Sequence, residues 1–136
     1  MEGYTSCIAQ VAEVSVEKGE LKIHKITCVI DCGQTVNPRI VESQLESGII
    51  YGLSAALWGD ITLRGGRVQQ RNFNDYRVLR LDETPALEVH ILPSDTKPGG
   101  IGETAVPPVA PALCNAIFAA TGKRLRSLPI SAHKLI

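Results

Sequence analysis

The chain has 136 residues, of which 44% are hydrophobic and 21% charged, and its 14 basic and 14 acidic side chains give a net charge of zero. This composition is typical of one globular domain with a modest core. The charge balance does not favour nucleic-acid binding, and no apolar run reaches the roughly 18 residues of a membrane span. The N-terminal segment lacks the basic and apolar regions of a signal peptide.

The first predicted elements form a hairpin. Residues 8–16 alternate between apolar and polar side chains, which predicts a half-buried strand. The turn over residues 17–20 gives Gly19 a left-handed conformation. The second strand, residues 21–30, carries the apolar residues Ile23, Ile26, Val29 and Ile30.

A long amphipathic helix comes next. Asn37 caps the free N–H groups and Pro38 suits the first helical position. Apolar residues then recur at spacings of three and four up to about residue 58: Ile40, Val41, Leu45, Ile49, Leu53, Ala56 and Leu57. Gly48 and Gly52 lie one turn apart, which predicts a close packing partner. Gln44 lies one turn before Gly48 on the same side, and the pattern alone is typical of an exposed helical glutamine.

The second half of the chain predicts a hairpin, a strand and a helix. The hairpin covers residues 61–68 and turns at two glycines, and a strand covers residues 87–92. An irregular segment at 69–85 is anchored by Phe73, Tyr76 and Leu79. A helix over 108–121 buries Val109, Leu113, Ile117 and Ala120 and ends at Gly122. Residues 127–136 are expected to form an edge segment.

This order of elements predicts an α+β fold. It consists of an antiparallel or mixed sheet built from hairpins, with two main helices, in a single domain over residues 1–136. The four cysteines are Cys7, Cys28, Cys32 and Cys114, and their spacing suits neither a zinc site nor an iron–sulfur cluster. We therefore expect buried free thiols and no metal ligands from the chain.

One carboxylate stands out in the glycine-rich run at 99–108. Gly99, Gly100 and Gly102 remove side chains around Glu103, so that backbone or a bulky ligand can approach it. Two prolines then favour a helix start. A catalytic role for Glu103 is one interpretation. In the alternative, Glu103 only caps that helix and the chain is a non-enzymatic α+β binding or assembly module. A small hydrolase is disfavoured because no nucleophile lies in an elbow-like motif.

Six segments in a fixed order carry a resemblance to a known family. They are Ala9-Gln10-Val11-Ala12-Glu13-Val14, Val29-Ile30-Asp31-Cys32-Gly33, Val36-Asn37-Pro38, Glu42-Ser43-Gln44-Leu45-Glu46-Ser47-Gly48, Tyr51-Gly52-Leu53 and Gly100-Ile101-Gly102-Glu103. Over residues 3–128 the chain resembles the C-terminal part of the molybdopterin-binding large subunit of the xanthine oxidase and aldehyde oxidoreductase family, in particular its isoquinoline 1-oxidoreductase β subunit-like members.

The resemblance implies roles for two residues. Glu103 matches the active-site glutamate, a general base beside the molybdenum, and Gln44 matches a glutamine that hydrogen-bonds the pterin. Gly48 and Gly52 would let the helix pack tightly near that site. The family often has Gly-Gly where this chain has Ser47-Gly48, a mild departure that keeps the second glycine.

The resemblance also implies an activity, a cofactor and partners. The activity is that of a molybdenum hydroxylase that oxidises an aldehyde or N-heterocycle with oxygen derived from water. The cofactor is a molybdenum–pterin in its dinucleotide form. The partners are the rest of the large subunit, an iron–sulfur subunit or domain, and a small-molecule substrate. Since such subunits are several times longer, we expect a fragment that is inactive and cofactor-free alone and exposes an apolar surface that favours self-association.

Overall fold

A mixed sheet and two helices organise the chain in the computed structural model, which describes residues 2–3 and 5–136. The elements in chain order are β1 (Glu2–Gly3), β2 (Ser6–Glu17), β3 (Glu20–Asp31), α1 (Pro38–Trp58), β4 (Leu63–Arg64), β5 (Arg67–Val68), β6 (Ala86–Ile91) and α2 (Val109–Thr121). The main sheet has the order β1-β2-β3-β6, and β4 and β5 form a separate ribbon. β1, β2 and β3 pair antiparallel, whereas β6 is parallel to β3. The predicted α+β class with a mixed sheet is confirmed.

The β2–β3 hairpin contains a bulge that the sequence pattern did not predict. Its tight turn is as expected, with Lys18 at φ 52° and Gly19 at φ 87°. Glu13 pairs with Lys25, but the next residue of β2 pairs with Ile23, so His24 is the extra residue. One extra residue moves the following side chains to the opposite face of a strand. The core-facing set of β3 therefore changes from odd to even positions along the strand.

The bulge decides which side chains of β3 reach the core. Before it, Ile23 packs partly buried against the core, and after it Ile26, Cys28 and Ile30 are fully buried. Val29 lies on the other face and is only half-buried.

Helix α1 begins and ends where the sequence predicts. The Asn37 side chain accepts a hydrogen bond from the Ile40 N–H at 3.4 Å, and Pro38 occupies the first turn. The predicted stripe is buried except at Ile40, which is 62% exposed in the first turn of the helix. Residues on α1 pack against β6 and α2.

Helix α2 also matches its prediction closely. It packs against β2 and ends at Gly122, which adopts a left-handed φ of 74°. Val109, Leu113 and Ile117 are buried, whereas Ala120 is exposed in the last turn, contrary to expectation.

Two irregular segments differ from their predictions. Phe73 was expected to anchor residues 69–85 but is 96% exposed, whereas Leu79 packs partly buried against the core. The tail at 127–136 is not an edge strand; it forms a short 3₁₀ turn at 130–132 and buries Ile130 and Leu135. In a segment without periodicity, the sequence does not indicate which apolar side chains are buried in the core.

The expected burial of the cysteines is only partly correct. Cys28 and Cys32 are buried free thiols and Cys114 is half-buried, but Cys7 is exposed. Within residues 2–3 and 5–136, the structure has no helix that is both long and apolar enough to cross a bilayer.

Candidate functional site

The loop of residues 99–106, here called the Glu103 loop, is tied to the sheet at its start. The Gly99 N–H donates to the Cys32 carbonyl at 2.8 Å. The Gly100 carbonyl accepts two hydroxyl hydrogen bonds, from Ser6 at 2.9 Å and from Thr104 at 3.0 Å. The end of β3, the start of β2 and the loop itself therefore fix this part of the backbone.

Two side-chain amides hold the loop on either side of Glu103. Gln44 on α1 donates from Nε2 to the Gly102 carbonyl at 2.5 Å. Gln10 on β2 donates from Nε2 to the Ala105 carbonyl at 2.9 Å. The Val106 N–H donates to the Glu103 carbonyl at 3.0 Å and closes a tight turn. The backbone of Glu103 thus lies between anchors from a helix and a strand.

Gly48 and Gly52 seat the loop and α2 on α1, as their spacing predicts. A Cβ on Gly48 would lie 2.9 Å from the Ala105 Cβ, and one on Gly52 would lie 2.6 Å from the Val109 Cγ2. Both approaches are closer than a real Cβ tolerates, so each glycine is required by packing. The glutamine and these two glycines are spaced one turn apart and form one stripe of α1 that contacts the loop and then α2.

Two glycines of the loop, Gly99 and Gly102, differ in what surrounds them. A Cβ on Gly99 would collide with the Ser6 hydroxyl, so that glycine is explained by packing against β2. Apart from its chain neighbours Ile101 and Glu103, a Cβ on Gly102 would have no described atom within 4 Å, and Gly102 does not adopt a left-handed φ. Neither strain nor packing within the described residues explains Gly102. It leaves open space directly beside Glu103.

The carboxylate of Glu103 is exposed at the edge of this space. In the part of the chain that the structure describes, it makes no hydrogen bond or ion pair. It does not cap α2, because the N-cap residue is Pro108 and no side chain bonds the helix start. The capping role considered for Glu103 is therefore wrong.

The structure brings together Gln44 and Glu103, the two site residues predicted from the sequence. Gln44 bonds the residue immediately before Glu103, although Gln44 and Gly102 are 58 positions apart. α2 begins at Val109, after the turn at 103–106, with Pro108 as its N-cap residue.

Sequence reasoning missed the anchors of the loop. Ser6 and Thr104 are buried hydroxyls that converge on one carbonyl, and their sequence positions carry no signal for this. Gln10 does carry a signal, because it occupies the apolar face of β2 between Ile8 and Ala12. A polar residue at a core-facing position requires a hydrogen-bond partner.

One buried thiol, that of Cys28, lies beside the Gln10 side chain. Burial raises the pKa of this thiol, while the Gln10 amide at 3.9 Å opposes the rise. Cys28 is therefore held as a neutral thiol in the core. Among residues 2–3 and 5–136, no three His, Cys, Asp or Glu side chains are grouped to hold a metal ion.

The Glu103 carboxylate is thus exposed, and the Gln44 amide on α1 binds the carbonyl of the residue before it. Comparison with known proteins identifies the class: residues 1–85 match the family described as molybdopterin cofactor-binding domain. The chain belongs to this family.

Curated relatives and solved structures agree with this assignment. The chain is 38% identical over 130 residues to a protein of Gluconacetobacter polyoxogenes named membrane-bound aldehyde dehydrogenase [pyrroloquinoline-quinone], covering 96% of the chain and 17% of the relative. It is 37% identical over 125 residues to the isoquinoline 1-oxidoreductase subunit beta of Brevundimonas diminuta, covering 90% of the chain and 16% of the relative.

The fold matches that of a solved oxidoreductase. The crystal structure of the aldehyde oxidoreductase from Desulfovibrio desulfuricans superposes with a TM-score of 0.76 at 25% identity, over 91% of the chain and 14% of that protein. The chain thus spans less than a fifth of the length of the proteins that it resembles.

Proposed function

We propose that the chain is one part of the molybdenum-binding subunit of a hydroxylase that oxidises an aldehyde or an N-heterocycle. The proposal depends most on one observation: Gln44 fixes the carbonyl next to Glu103, while the Glu103 carboxylate remains without a partner among the described residues. An ionisable group that the fold positions but does not satisfy is a candidate catalytic group.

The residues at this surface fit a bulky pterin cofactor. Gly102 leaves space that a Cβ would fill, and apart from Ile101 and Glu103 no described atom lies within 4 Å of that position. Gln44 donates one N–H to the Gly102 carbonyl, so its second N–H and its amide oxygen remain to bind the cofactor. When bound, a molybdenum–pterin would supply the two-electron acceptor and the oxygen-transfer chemistry of the oxidation, and we propose its dinucleotide form.

Glu103 would serve as the general base of this reaction. A carboxylate without a competing hydrogen bond can take a proton from the water-derived nucleophile, provided that the site brings the two within hydrogen-bond reach. General-base assistance of this kind contributes about 10²–10⁴-fold to a rate. Gln44 and the turn at Val106 hold the backbone of Glu103 in place before the substrate arrives.

The chain would supply only one wall of the site. Glu103 and Gly102 are both exposed, so the described residues do not exclude water from the carboxylate. We propose that the rest of the large subunit covers this wall and that an iron–sulfur subunit or domain accepts the electrons. The 136 residues alone would then bind no cofactor and have no turnover, and their exposed apolar side chains, such as Phe73, would favour self-association.

Metal analysis and a substrate panel test this function together. The complete subunit that contains this chain should carry stoichiometric molybdenum and oxidise members of a panel of aldehydes and N-heterocycles, while the isolated 136 residues should carry none. A complete subunit without molybdenum, or one that binds pyrroloquinoline-quinone in its place, would contradict the proposal. A cofactor-free complete protein that only binds a partner would favour the assembly module.

A further inference from the structure

Gln10 is a polar side chain on the core face of β2, and half of its amide is unsatisfied. Its neighbours on that face are the buried Ile8 and the half-buried Ala12. Its Nε2 donates to the Ala105 carbonyl at 2.9 Å and lies 3.9 Å from the Cys28 sulfur. Its Oε1 is buried without a hydrogen-bond partner among the described residues. Leaving a buried amide oxygen unpaired is costly, so packing alone does not explain a glutamine here.

The side-chain N–H of Gln10 bonds a carbonyl in the turn that carries Glu103. Ala105 is fully buried against Gly48 and lies two residues after Glu103. The N–H of the next residue, Val106, donates to the Glu103 carbonyl and closes the turn. A displacement of the Ala105 carbonyl therefore changes the turn that presents the carboxylate. On the other side of Glu103, the Gln44 amide on α1 holds the Gly102 carbonyl.

We propose that Gln10 is a positioning residue for Glu103, acting through the Ala105 carbonyl. Its side-chain N–H holds the turn at 103–106 against the sheet, while the Gln44 amide holds the preceding residue against α1. The catalytic meaning of this restraint depends on the proposed function, whereas the restraint itself is a property of the 136-residue chain.

Amide hydrogen exchange in the isolated chain tests the restraint directly. Gln10→Met keeps the size of the side chain and removes the donor, so the protection factor of the Val106 amide should fall about tenfold or more. Protection in the middle of α1, at Leu53, should stay unchanged. Gln70→Met is the matched control, because Gln70 accepts from the Thr62 N–H far from this loop, and it should leave Val106 unaffected.

Gln10→Glu supplies a rescue that a purely steric role would not show. An ionised carboxylate only accepts hydrogen bonds, so Val106 protection should be low at neutral pH. When the introduced carboxyl is protonated on acidification, its O–H donates to the Ala105 carbonyl again and protection should return. Unchanged Val106 protection in Gln10→Met, or an equal loss at Val106 and Leu53, would overturn the proposal.

Steady-state kinetics of the complete, cofactor-loaded subunit then test the consequence for Glu103. Gln10→Met should lower kcat about tenfold or more with unchanged KM and molybdenum content. A full kcat despite a loosened turn would show a purely structural residue and overturn the proposal. A wild-type subunit without molybdenum or turnover would instead contradict the proposed function, and the exchange data would still decide the role of Gln10.

Discussion

Replacing Gly52 with alanine measures how tightly α2 is seated on α1. In an open helix, glycine to alanine stabilises by about 1 kcal/mol. Here the new Cβ would lie 2.6 Å from the Val109 Cγ2, 2.8 Å from its Cβ and 3.0 Å from the Val106 carbonyl oxygen. Carbon atoms pack at roughly 3.5–4.0 Å, so Val109 must move by about 1 Å. Since Val109 is fully buried, that movement displaces the start of α2.

The expected result follows from comparing the two effects. Overpacking of a core costs about 1–3 kcal/mol, and a clash with a β-branched side chain and a backbone oxygen lies at the upper end of that range. After subtracting the helix-propensity gain, Gly52→Ala should lower the free energy of unfolding by about 1–2 kcal/mol in urea denaturation followed by circular dichroism. Ala55→Gly, at an exposed position of α1, measures the propensity difference alone. A Gly52→Ala variant more stable than wild type by that difference would refute the packing.

Three further predictions use the same isolated chain. Asn37→Ala should cost about 1 kcal/mol of unfolding free energy, because it removes the α1 cap, and an unchanged urea midpoint would disprove the cap. The hydrogen bond from Lys25 lowers the pKa of Glu88, so the stability that this pair adds is present at neutral pH and is lost as the pH falls through the lowered pKa. The urea midpoints of wild type and Glu88→Gln should therefore converge in acid. A gap between the midpoints that persists in acid would contradict the pairing. Phe73→Ser should leave the unfolding free energy within about 0.5 kcal/mol and reduce self-association in sedimentation velocity, whereas a large loss of stability would show that Phe73 is buried.

The sequence predicts most accurately what local chemistry decides. Asn37 with Pro38 starts α1, Gly122 ends α2, and Gly19 turns the first hairpin, because each effect involves only a few neighbouring residues. The bulge at His24 depends on how β3 pairs with β2, and the parallel pairing of β6 depends on the crossover through α1. The apolar period of a single strand contains no information about such pairings between distant segments.

The candidate site divides in the same way. The stripe of Gln44, Gly48 and Gly52 is visible as spacing on one helix. The family resemblance implied that this stripe packs near the site, but the hydrogen bond from Gln44 to the Gly102 carbonyl was not predicted, because it joins segments that are 58 positions apart. The Gln10 hydrogen bond to Ala105 spans 95 positions and was not anticipated. Its only local signal is a polar side chain on an apolar strand face. Such a side chain requires a hydrogen-bond partner, but the sequence does not show which residue provides it.

The role of Glu103 as the base is tested most directly by Glu103→Gln in the complete, cofactor-loaded subunit. The substitution keeps the shape of the side chain and removes its ability to accept a proton, while Gln44 still holds the Gly102 carbonyl. We expect kcat for aldehyde or N-heterocycle oxidation to fall by about 10²–10⁴-fold with unchanged molybdenum content. Wild-type turnover in this variant, at full molybdenum occupancy, would remove Glu103 from the reaction.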